Sequence, residues 1–209
     1  MPEAAVQHTI LQVGEPILRQ RARPLSLDEI RSAPIQQLIE VMRETMRQAP
    51  GVGLAAPQIG HSLQLAVIED RAEYLQGLSP EVLAEHGREA VPFHVLINPH
   101  LSMEDPTGVE FFEGCLSVAG FRALVPRALA VRVECLNARG EPVVIRASGW
   151  HARILQHEID HLHGMLYIDR MRSRSFTTAD NLTRYWLDKS VTQVVEALQV
   201  PSRGPSRPS

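Results

Sequence analysis

The segment QHEIDHLHGMLY, Gln156 to Tyr167, sets His157, Glu158 and His161 in the order H-E-x-x-H. On a helix, residues four apart share a face, so both imidazoles can grip one metal ion with the glutamate beside them. A catalytic site of this kind takes three protein ligands and keeps one position open. The third must come from elsewhere. A metzincin peptidase extends the motif to H-E-x-x-H-x-x-G-x-x-H; Gly164 is in place here, but Tyr167 stands where the last histidine belongs. A thermolysin-like peptidase takes a carboxylate further downstream, where Asp180 falls, yet Asp180 sits in TTADN and helix capping is its plainer job. Upstream, EGCLSVAGF (113–121) offers Cys115. Gly114 beside it permits close backbone approach, and a thiolate is a strong ligand for a soft or borderline metal. A lone cysteine is by default a small buried hydrophobe. Cys135, in the alternating run AVRVECL, fits that description; Cys115, between polar and glycine neighbours, fits it poorly.

The elements that must hold these residues can be read from pattern. SLDE at Ser26–Glu29 has the form of a capping box, and Ile35, Leu38, Ile39, Met42 and Met46 continue one helix to about Gln48. GVGLAAPQIG (51–60) is too rich in Gly and Pro for an element interior and reads as a shaped loop. LQLAVIE (63–69) is a strand, followed by a polar surface excursion with a short helix after Pro80. FHVLINP (93–99) reads as a strand stopped by Asn98-Pro99, and GVEFF (108–112) as another. ALAVRVECL (128–136), the turn NARGEP and VVIRA (143–147) predict a hairpin. A helix from Trp150 to Leu162, apolar around much of its circumference and closed by Gly164, is expected to be buried. A last helix is expected from about Thr178 to Leu198, and PSRGPSRPS (201–209) reads as a disordered tail behind a single domain of residues 1–200. Without regular β-α alternation, the class expected is α+β with antiparallel sheets.

GVGLAAPQIG, EGCLSV and QHEIDH, in this order and spacing, resemble the three signature motifs of the peptide deformylases. The resemblance runs from EPILRQRARPL to about Phe176. It implies antiparallel sheets around a central helix carrying the histidine motif. It implies a metal held by Cys115, His157 and His161, Glu158 as general acid/base, and an oxyanion hole from the Gln58 side chain and the Leu116 backbone N–H. The implied reaction removes the N-formyl group from the initiator methionine of newly made polypeptides and releases formate. Ferrous iron is the implied native ion, with zinc, nickel or cobalt as substitutes on the same ligands.

The chemistry asks for these residue types. Hydrolysis at neutral pH needs a water made acidic by a divalent ion. A carboxylate beside the ligands can take its proton and hand it to the departing amine, and the developing oxyanion needs preorganised donors. Pro57, with its locked φ, would stiffen the loop that aims Gln58. Gly51 and Gly53 are expected to bring backbone close to the formyl carbon and leave no room for a methyl. By family position, Phe111, Trp150, Arg153, Ile154 and His157 are expected beside the methionine side chain, Glu113 among the substrate-binding residues, and Arg122 along the substrate backbone. Glu113 and Arg127 are expected to form a supporting ion pair, and Asp160 to orient a ligand histidine or to pair with Arg127. Two departures, SVAGF after the cysteine motif and Trp150 with Arg153 in SGWHARI, resemble the branch that includes organellar deformylases.

The whole chain narrows the alternatives. Its 209 residues, 44% hydrophobic, suffice for one core, and a net charge of −3 gives no global field for nucleic acid or an anionic membrane. Arg203 and Arg207 are too few for a ribosomal RNA patch, so ribosome proximity is expected to be transient. No signal or transit pattern opens the sequence and no apolar run would span a bilayer, so a cytoplasmic setting is expected. A structural metal module would need a fourth protein ligand, and none presents itself.

Overall fold

The architecture was obtained as a computed structural model describing residues 9–49 and 51–199; the 201–209 tail lies outside the described residues. In chain order it contains α1 (Leu27–Arg31), α2 (Ala33–Gln48), β1 (Gly53–Ala55), β2 (Leu65–Asp70), α3 (Ala72–Leu75), α4 (Pro80–His86), β3 (Val91–Cys115), β4 (Val118–Leu136), β5 (Pro142–Ser148), α5 (Gly149–Leu162), β6 (Thr177–Thr178), α6 (Ala179–Tyr185) and α7 (Val191–Ala197). The strands form one antiparallel sheet in the order β1-β2-β3-β4-β5, with β6 added to β4. This is the α+β arrangement expected from the pattern.

Period-two alternation gives the sheet two apolar faces. Leu65, Val67, Val95 and Ile97 join one core with Leu38, Ile39, Met42 and Met46 of α2. Ala66, Ile68, Leu96, Val131 and Val133 join a second with Ala152, Leu155, Ile159 and Leu162 of α5. Helix α5 is therefore central, touching each of β1 to β5. It is also pinned by a side chain. The Gln156 amide accepts from Ala128 N at 3.0 Å and donates to Ala128 O at 2.9 Å, so the residue before His157 pairs with β4 as a strand residue would.

Five expectations change. The expected first helix is two. Ser26 makes its capping box with Glu29, but the backbone is extended at Ser32 (ψ 147°) before α2 starts with Pro34 in its first turn. Proline lacks an N–H to continue a helix and is well placed only where one begins. GVGLAAPQIG is not loop throughout: it holds β1, paired with β2, and a 3₁₀ turn over Ala56–Ile59. Asn98-Pro99 bends β3 without ending it. Asn98 takes φ +52°, and its amide exchanges hydrogen bonds of 2.9 and 2.8 Å with the Leu25 backbone while the register slips between Ile97 and His100. The last helix is also two, because Ser190 forms a fresh capping box with Gln193 and opens α7. At the end of α5 the C-cap is His163, and Gly164 follows it at φ +74°.

Candidate metal centre

Strand β3 ends at Cys115, a tight turn through Leu116 and Ser117 enters β4, and α5 passes beneath. Cys115 Sγ lies 3.3 Å from His161 Nε2. Ligand atoms of Cys115, His157 and His161 all lie within 4.8 Å of one another, as no other group of three His, Cys, Asp or Glu residues does among the described residues. Metal–ligand bonds of about 2.0–2.3 Å in a tetrahedral site put ligand atoms roughly 3.3–3.8 Å apart. The spacing and the soft donor set both suit one divalent ion.

The electrostatics agree. Burial opposes charge on His157, yet its contacts with Cys115 and Glu113 outweigh this and hold it well above its ordinary value. Burial drives His161 well below its ordinary value, which keeps that imidazole neutral with a lone pair to give. His157 Nδ1 donates to Glu113 Oε2 at 3.0 Å, leaving its other nitrogen for an ion. Nδ1 of His161 is buried without a partner among the described residues.

Glu113 anchors a charged cluster below the site. It accepts both Nε and Nη2 of Arg127 at 2.9 Å and Nη1 of Arg153 at 2.6 Å. Burial works against ionisation, but Arg127 and His157 prevail and hold this carboxyl far below the usual carboxylate range. Arg127 continues to Asp160 at 2.5 Å, and Asp160 takes two hydrogen bonds from Arg170 at 2.7 and 2.8 Å. The expected Glu113–Arg127 pair is present, and Asp160 pairs with Arg127; no bond from Asp160 to a ligand histidine occurs.

Glu158 points into a cleft of about 530 Å³ above the ligands. Its Oε2 is buried with no partner among the described residues, and burial pushes its carboxyl up to about 7. A Cβ on Gly53 would run into this carboxylate, and one on Gly51 would stand 2.8 Å from Leu116 Cδ1. Only glycine lets the 51–53 segment approach so closely. Gln58 is held at both ends: Oε1 accepts from Ala55 N at 2.8 Å, and Nε2 donates to Ser117 Oγ at 3.1 Å beside Cys115 Sγ at 3.5 Å. Its amide therefore faces the ligands.

The other expected residues divide. Leu116, Trp150, Arg153, Ile154 and Arg122 line the cleft. Arg122 crosses Gly114 so closely that a Cβ there would meet its guanidinium. Arg153 is buried and also bonded to the carbonyls of Val125 (2.8 Å) and Val109 (2.6 Å), so its guanidinium is committed to the protein. Phe111 lies in an adjoining cavity with His86, and its neighbour Phe112 lines the cleft instead. Tyr167 is buried with its ring 6.4 Å from that of His157, so the residue in the metzincin ligand position packs against the site. Asp180 lies in the first turn of α6, where Thr178 is the N-cap. Sequence reading missed Phe112, Ser117 and Arg88, all of them beside Gln58 or in the cleft.

A Cys-His-His donor set with a buried carboxylate at its side, on an antiparallel sheet around one helix, could hold a single metal ion. A sequence profile described as "Polypeptide deformylase" matches residues 7–176, and the chain belongs to that family. It is 47% identical over 173 residues to peptide deformylase 1A, chloroplastic, of Solanum lycopersicum, covering 83% of this chain and 62% of the relative. Identity to peptide deformylase 1A, chloroplastic/mitochondrial, of Arabidopsis thaliana is also 47% over 173 residues, covering 83% and 64%. The chain thus spans somewhat less than two thirds of these relatives. Among solved structures, a Met-Ala-Ser-bound class I type b peptide deformylase from Acinetobacter baumannii superposes with TM-score 0.71 at 33% identity, covering 80% of this chain and 100% of that one.

Proposed function

We propose that the chain is a peptide deformylase that hydrolyses the N-formyl group of the initiator methionine on newly made polypeptides and releases formate. The observation that carries this is the meeting, in one cleft, of the Cys115/His157/His161 set, the unpartnered Glu158 carboxylate and the Gln58 amide. The Met-Ala-Ser peptide named with the Acinetobacter structure is of the product class this reaction would leave. Ferrous iron is the ion proposed, with zinc, nickel or cobalt able to take the same ligands. We assign the work to a reducing compartment such as the cytoplasm, which two free cysteines suit. No described helix is long and apolar enough to cross a membrane.

When bound, the ion supplies Lewis acidity, making a water acidic enough to attack at neutral pH. Glu158 takes the proton at Oε2 and returns it to the amine as the C–N bond breaks. Its raised pKa suits both halves of that transfer. Gln58 Nε2 and the Leu116 N–H donate to the oxygen that becomes negative. Gly51 and Gly53, which let this wall lie against Leu116 and Glu158, are assigned the choice of formyl over acetyl, since a wall this close would admit a hydrogen on the carbonyl carbon and refuse a methyl. Trp150, Ile154 and Phe112 receive the methionine side chain, and Arg122 holds the peptide backbone. Glu113 and Arg153 act through His157, whose ring they orient.

The deciding experiment is formate release from formyl-Met-Ala-Ser by protein purified under argon with Fe(II). No release above the rate of a buffer blank, from protein carrying one ion per chain, would overturn the reading. Two substitutions probe the parts. Gln58→Leu should lower kcat by roughly 10²–10³-fold, the size of losing one oxyanion donor, with metal content unchanged. A variant within threefold of the parent would remove Gln58 from the oxyanion site. Gly53→Ala should push on the Glu158 carboxylate and cut kcat by roughly 10²-fold, as a misplacement of about 1 Å can do. Full activity in that variant would mean that Glu158 works from another position.

A further inference from the structure

The cleft is walled at one side by Trp150, and the groups that hold Trp150 come from the segment between β2 and β3. Residues 71–90 leave β2, form α3 and α4, and return into β3. Neither helix has a buried residue, so the segment contributes little to the core. It is nevertheless tied down at two points. Arg88 gives Nε and Nη2 to the two oxygens of Asp70 at 2.7 and 2.9 Å, and Asp70 is fully buried. Gly87 lies against Gly149, where a Cβ would stand 2.8 Å from the carbonyl oxygens of both His86 and Gly87. That contact fixes the end of α4 to the start of α5, one residue from Trp150.

At and beside these ties, Arg88 and His86 reach the indole. The His86 ring stacks on it at 5.2 Å with 12° between planes, and the Arg88 guanidinium lies 5.1 Å from its centroid. Arg88 itself lines the cleft. His86 also sits 4.2 Å from the Phe111 ring, in the cavity behind. A half-buried indole without such neighbours has several staggered rotamers open to it. These contacts select one.

We propose that His86 and Arg88 are specificity-determining residues: by fixing Trp150 they set the size of the first side chain the cleft accepts, admitting unbranched methionine and refusing a large aromatic. The nature of the substrate rests on the deformylase reading above; the wall itself does not. A cleft limited by a rigid ring discriminates by size, and one whose ring can swing aside loses that limit while keeping its apolar character.

The test reads binding separately from turnover. A Trp186→Phe background leaves Trp150 as the only tryptophan of the two in the sequence. Its fluorescence then reports binding of Met-Ala-Ser and Phe-Ala-Ser to the metal-loaded protein. The parent should prefer Met-Ala-Ser by roughly 10-fold or more, the range for size discrimination in an apolar pocket. Arg88→Met with Asp70→Asn removes the guanidinium without leaving a buried carboxylate unpaired. That pair should bring the preference to within about threefold, chiefly through tighter binding of the aromatic peptide. His86→Ala leaves the ion pair intact and should move the ratio the same way, so it decides the matter if the double variant fails to fold. A ratio unchanged in whichever variants fold, or a parent without preference, overturns the proposal. If the parent selects Met-Ala-Ser yet releases no formate from its formyl form, the deformylase reading fails and the specificity wall stands.

Discussion

Glu158→Gln is expected to keep one metal ion per chain and to lose turnover by roughly 10²–10⁴-fold, the contribution of a positioned general acid–base. Three observations converge on that split. Glu158 lies outside the ligand group, its Oε2 is buried without a partner among the described residues, and burial lifts its carboxyl to about 7. A glutamine has the same shape against Gly53, so the 51–53 wall should keep its place while the proton carrier is gone. Elemental analysis and formate release on one preparation measure both halves. A metal-free variant would make Glu158 part of the ion's environment; a variant within threefold of the parent would leave the proton to some other base.

Much of the centre was legible because a helix does its geometry locally. His157, Glu158 and His161 share a face through spacing alone, and α5 forms where its apolar residues predict it. The third ligand was not legible in that way. Cys115 reaches His161 through the β3–β4 turn and the packing of β4 on α5, and no local period encodes such a meeting. It was supplied by the order of three motifs, and the 3.3 Å Sγ–Nε2 separation agrees with it.

The charged cluster below the site was half legible. Glu113 and Arg127 were expected to pair, whereas the convergence of Arg153 and His157 on the same carboxylate requires β3, β4 and α5 to meet at one buried point. An arginine near a cleft reads from sequence as a substrate contact; three fixed acceptors turn Arg153 into a support. Phe111 and Phe112 illustrate a sharper limit. Strand alternation assigns neighbours to opposite faces, but a register shift between Glu113 and Cys115 breaks the parity that would say which one faces the ligands. Arg88 was hidden for another reason: the 71–90 segment has no apolar period, so nothing in it foretold a return to Trp150.

The largest effect is expected of Cys115→Ala. Two imidazoles would remain, and the soft donor that suits the site to iron or zinc would be gone. Tight metal binding should be lost, with occupancy well below one ion per chain after dialysis, and turnover should fall beyond the roughly 10²–10⁴-fold of an acid–base loss. The substitution would also remove the sulfur that Gln58 Nε2 and Ser117 N approach at 3.5 and 3.4 Å, so the turn that carries Leu116 should loosen with it. Cys135→Ala is the matching control. That thiol is buried on β4 in the core shared with α5, burial pushes it up to about 11, and its loss should leave metal content and formate release unchanged. Paired elemental analysis and formate assays under argon separate the two cysteines. If Cys115→Ala held its ion and still turned over, the third ligand would have to be a carboxylate brought in from another part of the chain. Asp180 would be the first to test, although Thr178 caps α6 beside it and Asp180 stands outside the ligand group.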